Sequence, residues 1–296
     1  MEIAGSLCAI ATPFDKDGAL DLPAFGRLLD YQLDGGTQGI VVAGSTGEAH
    51  MLDEHEYERL LTFAVERVAQ RVPVIAGTGE AATSRTIAMT RHAKTLGADA
   101  ALVVTPYYVR PTQDGLRRHY GEVAAHCDIP VVMYNVPSRT GCDLQPETVA
   151  GLRDTAGIVG IKEAVGTPER IAALAQLKRP GFVYLSGDDG SAADAMLAGA
   201  GGVVSVANNL VPRAFRALCD AARGGDRGAT MQHAARIQPL LEALNCAPNP
   251  IPLKAGLAEL GLCRATLRLP LVELAPGPER AHLRETLAPL AGATMP

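Results

Sequence analysis

The sequence predicts an α/β protein built as a closed (β/α)8 barrel, a TIM barrel, with a C-terminal helical extension. Three observations carry this. Short apolar, β-branched runs recur eight times, amphipathic stretches of helical period separate them, and no convincing strand pattern follows the eighth. A doubly wound parallel sheet is the alternative, but such sheets usually hold fewer strands.

The eight runs are Leu7–Thr12, Gly39–Gly44, Val74–Gly77, Ala101–Thr105, Val131–Asn135, Ile158–Lys162, Val183–Ser186 and Gly202–Val206. Each is apolar throughout, as parallel strands covered on both faces require. Between them, "LPAFGRLLDYQLD" places Phe25, Leu28, Leu29 and Leu33 on one helical face. "EYERLLTFAVERVAQ" does the same with Tyr57, Leu60, Leu61, Ala64 and Val68. Asp53 followed by Glu56 reads as a capping box, and Gly35, Gly97 and Gly199 read as helix ends. Residues 212–296, with "AFRALCDAAR", "ATMQHAARIQPLLEAL" and "PLKAGLAELGL", supply the last barrel helix and further helices. The expected division is a barrel over 1–225 and a helical extension over 226–296. No Ser- or Gly-rich linker separates the two, so the extension is expected to pack on the barrel.

Composition excludes several classes of function. The chain has 296 residues, 47% hydrophobic and 20% charged, which suits an ordinary globule with a substantial core. A net charge of −5 without blocks of like charge gives no basis for binding nucleic acid or an anionic membrane. The six cysteines, Cys8, Cys127, Cys142, Cys219, Cys246 and Cys263, show no C-x-x-C pair and read as reduced thiols. The first twelve residues lack the pattern of a secretory signal, and no apolar run nears the ~20 residues that span a bilayer. A cytoplasmic location is expected. The seven histidines show no metal-ligand spacing, so no metal is expected.

In a barrel of this kind, catalytic groups stand at the C-terminal ends of strands. The unusual polar residues gather there. Ser45 and Thr46 follow the second run, Tyr107 and Tyr108 the fourth, Tyr134 and Arg139 the fifth, Lys162 ends the sixth, and "SGDD" closes the seventh. The opposite ends ("VPVI", "DIPVV", "AGIVG") are bland by comparison. Lys162 ends the apolar stretch "GIVGIK", where burial disfavours the ammonium and lowers its pKa from about 10.4. A neutral amine can attack a carbonyl and form an imine that then serves as an electron sink. The plainer alternative is a lysine that snorkels to solvent or pairs with Glu163.

The companions have two readings each. Tyr134 is a core aromatic or a proton relay. Tyr107 and Tyr108 cover the rim or an interface. Ser45 and Thr46 are turn residues or, with Gly47, a nest whose N–H groups hold a carboxylate. Arg139 is solvated or grips a second carboxylate through paired hydrogen bonds. Asp188 and Asp189 stand where many barrels bind phosphate and argue against a phosphorylated substrate. "GSTGE" and "GTGEAAT" lack the spacing and lysine of a P-loop.

These motifs identify a resemblance. "GSTGE", "TPYYVRPTQDGL", "YNVPSRTG", "GIKEA", "SGDD" and "NPIPLKAGLAELGL" resemble the dihydrodipicolinate synthase family, within the N-acetylneuraminate lyase superfamily of pyruvate-dependent class I aldolases. "GSTGE" is shared across the superfamily, whereas "YNVPSRTG" joined to "IKEA" is specific to the synthases. The resemblance covers essentially the whole chain. It implies condensation of pyruvate with L-aspartate 4-semialdehyde and cyclisation to 4-hydroxy-tetrahydrodipicolinate, the step that commits carbon to diaminopimelate and lysine. It implies no cofactor beyond a covalent imine of pyruvate on Lys162.

By position, Tyr134 resembles the relay tyrosine, working with Ser45 and with Tyr108 supplied by a neighbouring subunit. Thr46 resembles the group that binds the pyruvate carboxylate, and Arg139 the one that receives the semialdehyde carboxylate. Gly187 and Val204 fall where backbone groups line the pyruvate pocket. A homotetramer of paired tight dimers is implied.

Two positions depart from the family pattern. Ser45 replaces the usual threonine, as in the neuraminate lyase branch; without a methyl to restrict χ1, the relay is less fixed and turnover modestly lower. Lysine-inhibited relatives bind lysine through histidines, an asparagine and a glutamate, where this chain has Glu54, Tyr57, Ala81 and Arg85, keeping only Tyr107. Insensitivity to lysine is therefore expected. The competing readings are another lysine-imine aldolase, acting on neuraminate or a sugar-derived keto acid, and a silent relative that only binds. Lys162 and Tyr134 argue against the silent relative.

Overall fold

The structure, a computed structural model, describes residues 2–291. Eight strands form among them: β1 (Gly5–Ala9), β2 (Gly39–Val42), β3 (Val74–Gly77), β4 (Ala100–Val104), β5 (Val131–Asn135), β6 (Ile158–Glu163), β7 (Val183–Ser186) and β8 (Gly202–Ser205). They pair in chain order, and β8 returns to β1, so the sheet closes. The pairs are parallel. With a helix between successive strands, this is the (β/α)8 barrel predicted above.

Strand alternation divides the core in two. One set, including Leu7, Val41, Ile75, Leu102, Val132, Leu185 and Val204, fills the inside of the barrel, with Tyr134 above it. The larger set packs the outer face of the strands against the helices. The seam between β1 and β8 is built from glycines: Gly5 lies opposite Gly202. A Cβ on Gly202 would stand 2.3 Å from the Gly5 carbonyl oxygen, so no larger residue fits.

Three strands match the sequence reading in full, and β1 differs most. It starts two residues earlier than expected and stops before Ile10. Although the apolar run continues, the Ala11 amide bonds to the Asn209 side chain at 3.0 Å rather than to a neighbouring strand. Strand β2 ends at Val42 because Ala43 takes a left-handed conformation, φ +51°. The helix Leu22–Asp34 is turned out not by Gly35, which stays right-handed at φ −76°, but by Gly36 at φ +80°. Asp53 and Glu56 form the expected reciprocal capping box on the helix Glu54–Val68. Leu33, expected on the apolar face of the first helix, is only half-buried, and Gln32 beside it is buried instead. The Gln32 amide donates to the Asn208 and Asn209 carbonyls, which places it under the last barrel loop.

Beyond β8 come the helices Pro212–Arg223, Arg227–Ala243, Ile251–Glu259 and Pro278–Ala291. Of the range expected for the extension, 292–296 lie outside the described residues. The chain after Ile251 crosses the C-terminal rim of the barrel. There Arg268 donates to the Gly18 and Met51 carbonyls and forms an ion pair with Glu56, tying the loops after β1 and β2 to the C-terminal segment.

Candidate active site

Neighbouring strands bring Tyr134 and Lys162 together, since they are opposite one another in the β5–β6 register. Both point inward. The Lys162 ammonium nitrogen lies 4.1 Å from the centroid of the Tyr134 ring, and its residue is only 5% exposed. The lysine therefore does not snorkel. Nor does it pair with Glu163, whose side chain follows Ile161 to the outer face. There Glu163 accepts from Asn135 at 3.0 and 3.1 Å, from the Val165 amide at 2.8 Å and from Arg170 at 3.2 Å.

Burial pushes the Lys162 pKa down to about 8 from 10.5; the Asp189 carboxylate opposes this and the Arg139 guanidinium adds to it. Roughly a tenth of the amine is then neutral at pH 7. Burial also pushes Tyr134 up to about 12, with the Arg139 guanidinium and the Ser45 side chain pulling the other way. The phenol thus stays protonated beside a partly neutral amine, and the Ser45 side chain extends this chain of polar groups, lining one small cavity with Tyr134. Such a chain can carry a proton to and from a carbon or oxygen held over Lys162.

Gly187 makes this geometry possible. A Cβ there would approach Lys162 Cε to 2.9 Å and Cγ to 3.0 Å. Its amide is fixed by the Glu163 carbonyl at 2.7 Å. Val204 belongs to the inner barrel core and is buried below the rim. The two carboxylates that follow are structural ties. Asp188 accepts from the Ser191 amide and hydroxyl at 2.9 and 2.6 Å, and Asp189 accepts from the Val206 and Ala207 amides at 3.1 and 2.8 Å.

Ser45 and Thr46 lie in a tight turn after β2. The Gly47 amide bonds to the Gly44 carbonyl at 3.0 Å and the Glu48 amide to the Ser45 carbonyl at 3.2 Å. The Ser45 and Thr46 amides take no backbone carbonyl among the described residues. They are free to hold an anion, as in a nest. Asn249, to which the sequence reading assigned no role, links this turn to Arg139. Its amide nitrogen donates to the Thr46 hydroxyl at 3.0 Å, and its carbonyl accepts from Arg139 at 2.9 Å. The Asn-Pro step among the closely spaced prolines of "APNPIP" was the available turn signal, yet nothing in spacing tied it to Thr46, 203 residues away.

Ser45, Tyr107, Arg139 and Asn249 line an open cleft of about 270 Å³ at this rim. Tyr107 is anchored by a 3.0 Å bond from its hydroxyl to Glu80 and by the edge of the His50 ring. Tyr108 does not join the cleft of its own chain; it is 90% exposed, with φ +70°. A larger cavity of about 690 Å³ opens at the other end of the barrel, beside Pro73, Asp99 and Pro130, and holds none of these groups. Among the described residues, no three His, Cys, Asp or Glu side chains are grouped to hold a metal ion, and no helix is long and apolar enough to cross a membrane.

Comparison with known proteins shows the family of the chain. Residues 2–288 match the model of the dihydrodipicolinate synthetase family. The chain is 57% identical over 274 residues to the 4-hydroxy-tetrahydrodipicolinate synthase of Xanthomonas axonopodis pv. citri, covering 93% of this chain and 90% of that one. It is 52% identical over 292 residues to the synthase of Stenotrophomonas maltophilia strain K279a, with 98% of each chain covered. A chloride-inhibited dihydrodipicolinate synthase from Acinetobacter baumannii, solved in complex with pyruvate, superposes with a TM-score of 0.95 at 41% identity, over 98% of this chain and 99% of that one.

The lowered Lys162 pKa predicts how the amine's reactivity toward a carbonyl depends on pH. The attacking amine gains population as pH rises through about 8 and loses it below. Borohydride-quenched capture of a small 2-keto acid is expected to accelerate about tenfold per pH unit up to that point and then level off. A rate still climbing above pH 10 would indicate an amine in contact with water.

Proposed function

Because the chain belongs to the dihydrodipicolinate synthetase family, we propose that it condenses pyruvate with L-aspartate 4-semialdehyde to give 4-hydroxy-tetrahydrodipicolinate, without a cofactor. The observation that carries this reading is the desolvated Lys162 amine against the Tyr134 ring, with Ser45 lining the same small cavity as Tyr134.

In the proposed sequence, the pyruvate carboxylate is held by the Thr46 hydroxyl and the free amides of the turn. The neutral Lys162 amine attacks the keto carbon, and water leaves to give an iminium. That cation acidifies the methyl group, and the Tyr134–Ser45 pair takes the proton away. The resulting enamine carbon attacks the aldehyde, forming the new carbon–carbon bond and restoring the iminium; the relay returns its proton to the aldehyde oxygen, which becomes the hydroxyl, while Arg139 holds the semialdehyde carboxylate. The amino group of the second substrate then adds to the iminium carbon and displaces Lys162, closing the ring and freeing the lysine. Tyr108 is assigned to the site of a neighbouring subunit, which is consistent with its 90% exposure in a single chain. A homotetramer of tight dimers is the arrangement that supplies it.

Arg139 favours this reading over a neuraminate-type lyase, whose sugar substrates need hydroxyl recognition rather than a second guanidinium–carboxylate pair. Ser45 is the observation on the other side. Pyruvate plus aspartate semialdehyde, coupled to the downstream reductase, decides between them; turnover of neuraminate with none of the semialdehyde would overturn the synthase. Arg139→Ala is expected to raise KM for the semialdehyde roughly ten- to a hundredfold while leaving pyruvate trapping intact, a charge-assisted hydrogen bond being worth about 1.5–3 kcal/mol. Ser45→Thr is expected to raise kcat modestly; an unchanged or lower value would remove the serine from the relay.

Feedback by lysine is expected to be absent. Arg85 is exposed and within 3.8 Å of Glu80, so the nearest carboxylate already faces a cation. Tyr57 is buried in the core with its hydroxyl on the Gly77 carbonyl at 3.1 Å. Neither residue offers a lysine ammonium a free acceptor. Steady-state rates are expected to be unchanged in millimolar lysine, and strong inhibition there would refute this.

A further inference from the structure

The helix Ile251–Glu259 reaches the turn that carries Ser45 and Thr46 through a buried charge pair. The Lys254 ammonium faces the Glu48 carboxylate, with both side chains wholly excluded from water. Lys254 also donates to the Thr266 carbonyl at 2.8 Å and lies 4.2 Å from the centroid of the Phe14 ring. The other Glu48 oxygen accepts the Arg268 backbone N–H at 3.2 Å. Glu48 thus has two C-terminal partners, and the loop after β1 supplies the ring beside them.

Two features link this pair to the chemistry. Glu48 holds a left-handed backbone, φ +52° and ψ +39°, at the close of the turn. The left-handed region is costly for an L-residue, so the buried contacts of the Glu48 side chain help to hold the close of the turn that carries Ser45 and Thr46. In addition, Asn249, five residues before Lys254, bonds to the Thr46 hydroxyl. One stretch of C-terminal chain therefore grips the turn at Thr46 and again at Glu48. A buried ion pair gains little stability over an apolar pair of similar shape, so stability alone does not account for two charges here.

We propose that the Glu48–Lys254 ion pair positions Ser45 and Thr46 for pyruvate, which makes Lys254, in the C-terminal extension, a positioning residue of the active site. The proposal rests on the synthase reading above, in which Thr46 binds the pyruvate carboxylate.

Three variants of the full chain test it: Lys254→Met, the double variant Glu48→Gln with Lys254→Met, and Glu48→Asp, which keeps the charge but shortens its reach. Melting temperature, pyruvate KM and borohydride trapping at saturating pyruvate are measured for each. Lys254→Met leaves a lone buried carboxylate, so its melting temperature is expected to fall and its pyruvate KM to rise about tenfold. The double variant is expected to regain the lost thermal stability while its KM stays high, which a purely structural pair would not do. Glu48→Asp is expected to raise KM severalfold, and trapping at saturation to persist in all, because Lys162 is untouched. A pyruvate KM within about twofold of the parent in the double variant or in Glu48→Asp would overturn the proposal alone. Failure of the parent to trap pyruvate would overturn the synthase reading and the proposal with it.

Discussion

If water reached Lys162, almost none of its amine would be neutral at pH 7; burial is what raises that share to roughly a tenth. Keeping water away takes a barrel that is closed, apolar inside and covered at one rim, and each of those conditions has its own residues. Leu185 and Val204 fill the space below the rim, and the Tyr134 ring lies against the amine. On the far side of the same strand, Glu163 is fully occupied by Asn135, Val165 and Arg170, with Asp143 joining through Arg170 and Asn135. Adjacent residues of one strand thus have opposite surroundings. The amine is left short of a counter-charge, while the carboxylate beside it has several partners.

The charges that do reach Lys162 act in opposite senses. Asp189 favours the ammonium and Arg139 disfavours it, with burial outweighing both. Asp189 is held by the backbone amides of Val206 and Ala207, so its position is fixed by the loop after β8 rather than by the lysine. Arg139 hangs from a short helical turn, Pro137–Thr140, and leans on the Asn249 carbonyl. The amine's protonation is therefore coupled to two loops, one of which, through Arg139, also lines the open cleft.

What the sequence made legible followed from periodicity and from local chemistry. Eight apolar runs gave eight strands, because a strand buried on both faces cannot hide its composition. Lys162 stood out for the same reason, as a charge in an apolar run. The errors arose where side chains overrode local pattern. Ile10–Thr12 is apolar enough for a strand, but Asn209 takes the Ala11 amide. The roles of Asn249, Glu48 and Lys254 could not be read, since their partners lie some 200 residues away and no period connects them. "GSTGE" and "NPIPLK" were both visible as motifs; that one holds the other is a fact of tertiary packing.

The glycine seam between β1 and β8 has a consequence in time. Gly5 and Gly202 are neighbours across the barrel but stand at opposite ends of its sequence. During folding, the strands between them can pair in order while the two outermost keep open edges, and the loop-closing contact comes at high entropic cost. Until it forms, water enters the incomplete ring and Lys162 remains an ordinary protonated lysine. A nascent or partly folded chain thus lacks the buried, partly neutral amine, which appears only with the contact that completes the ring.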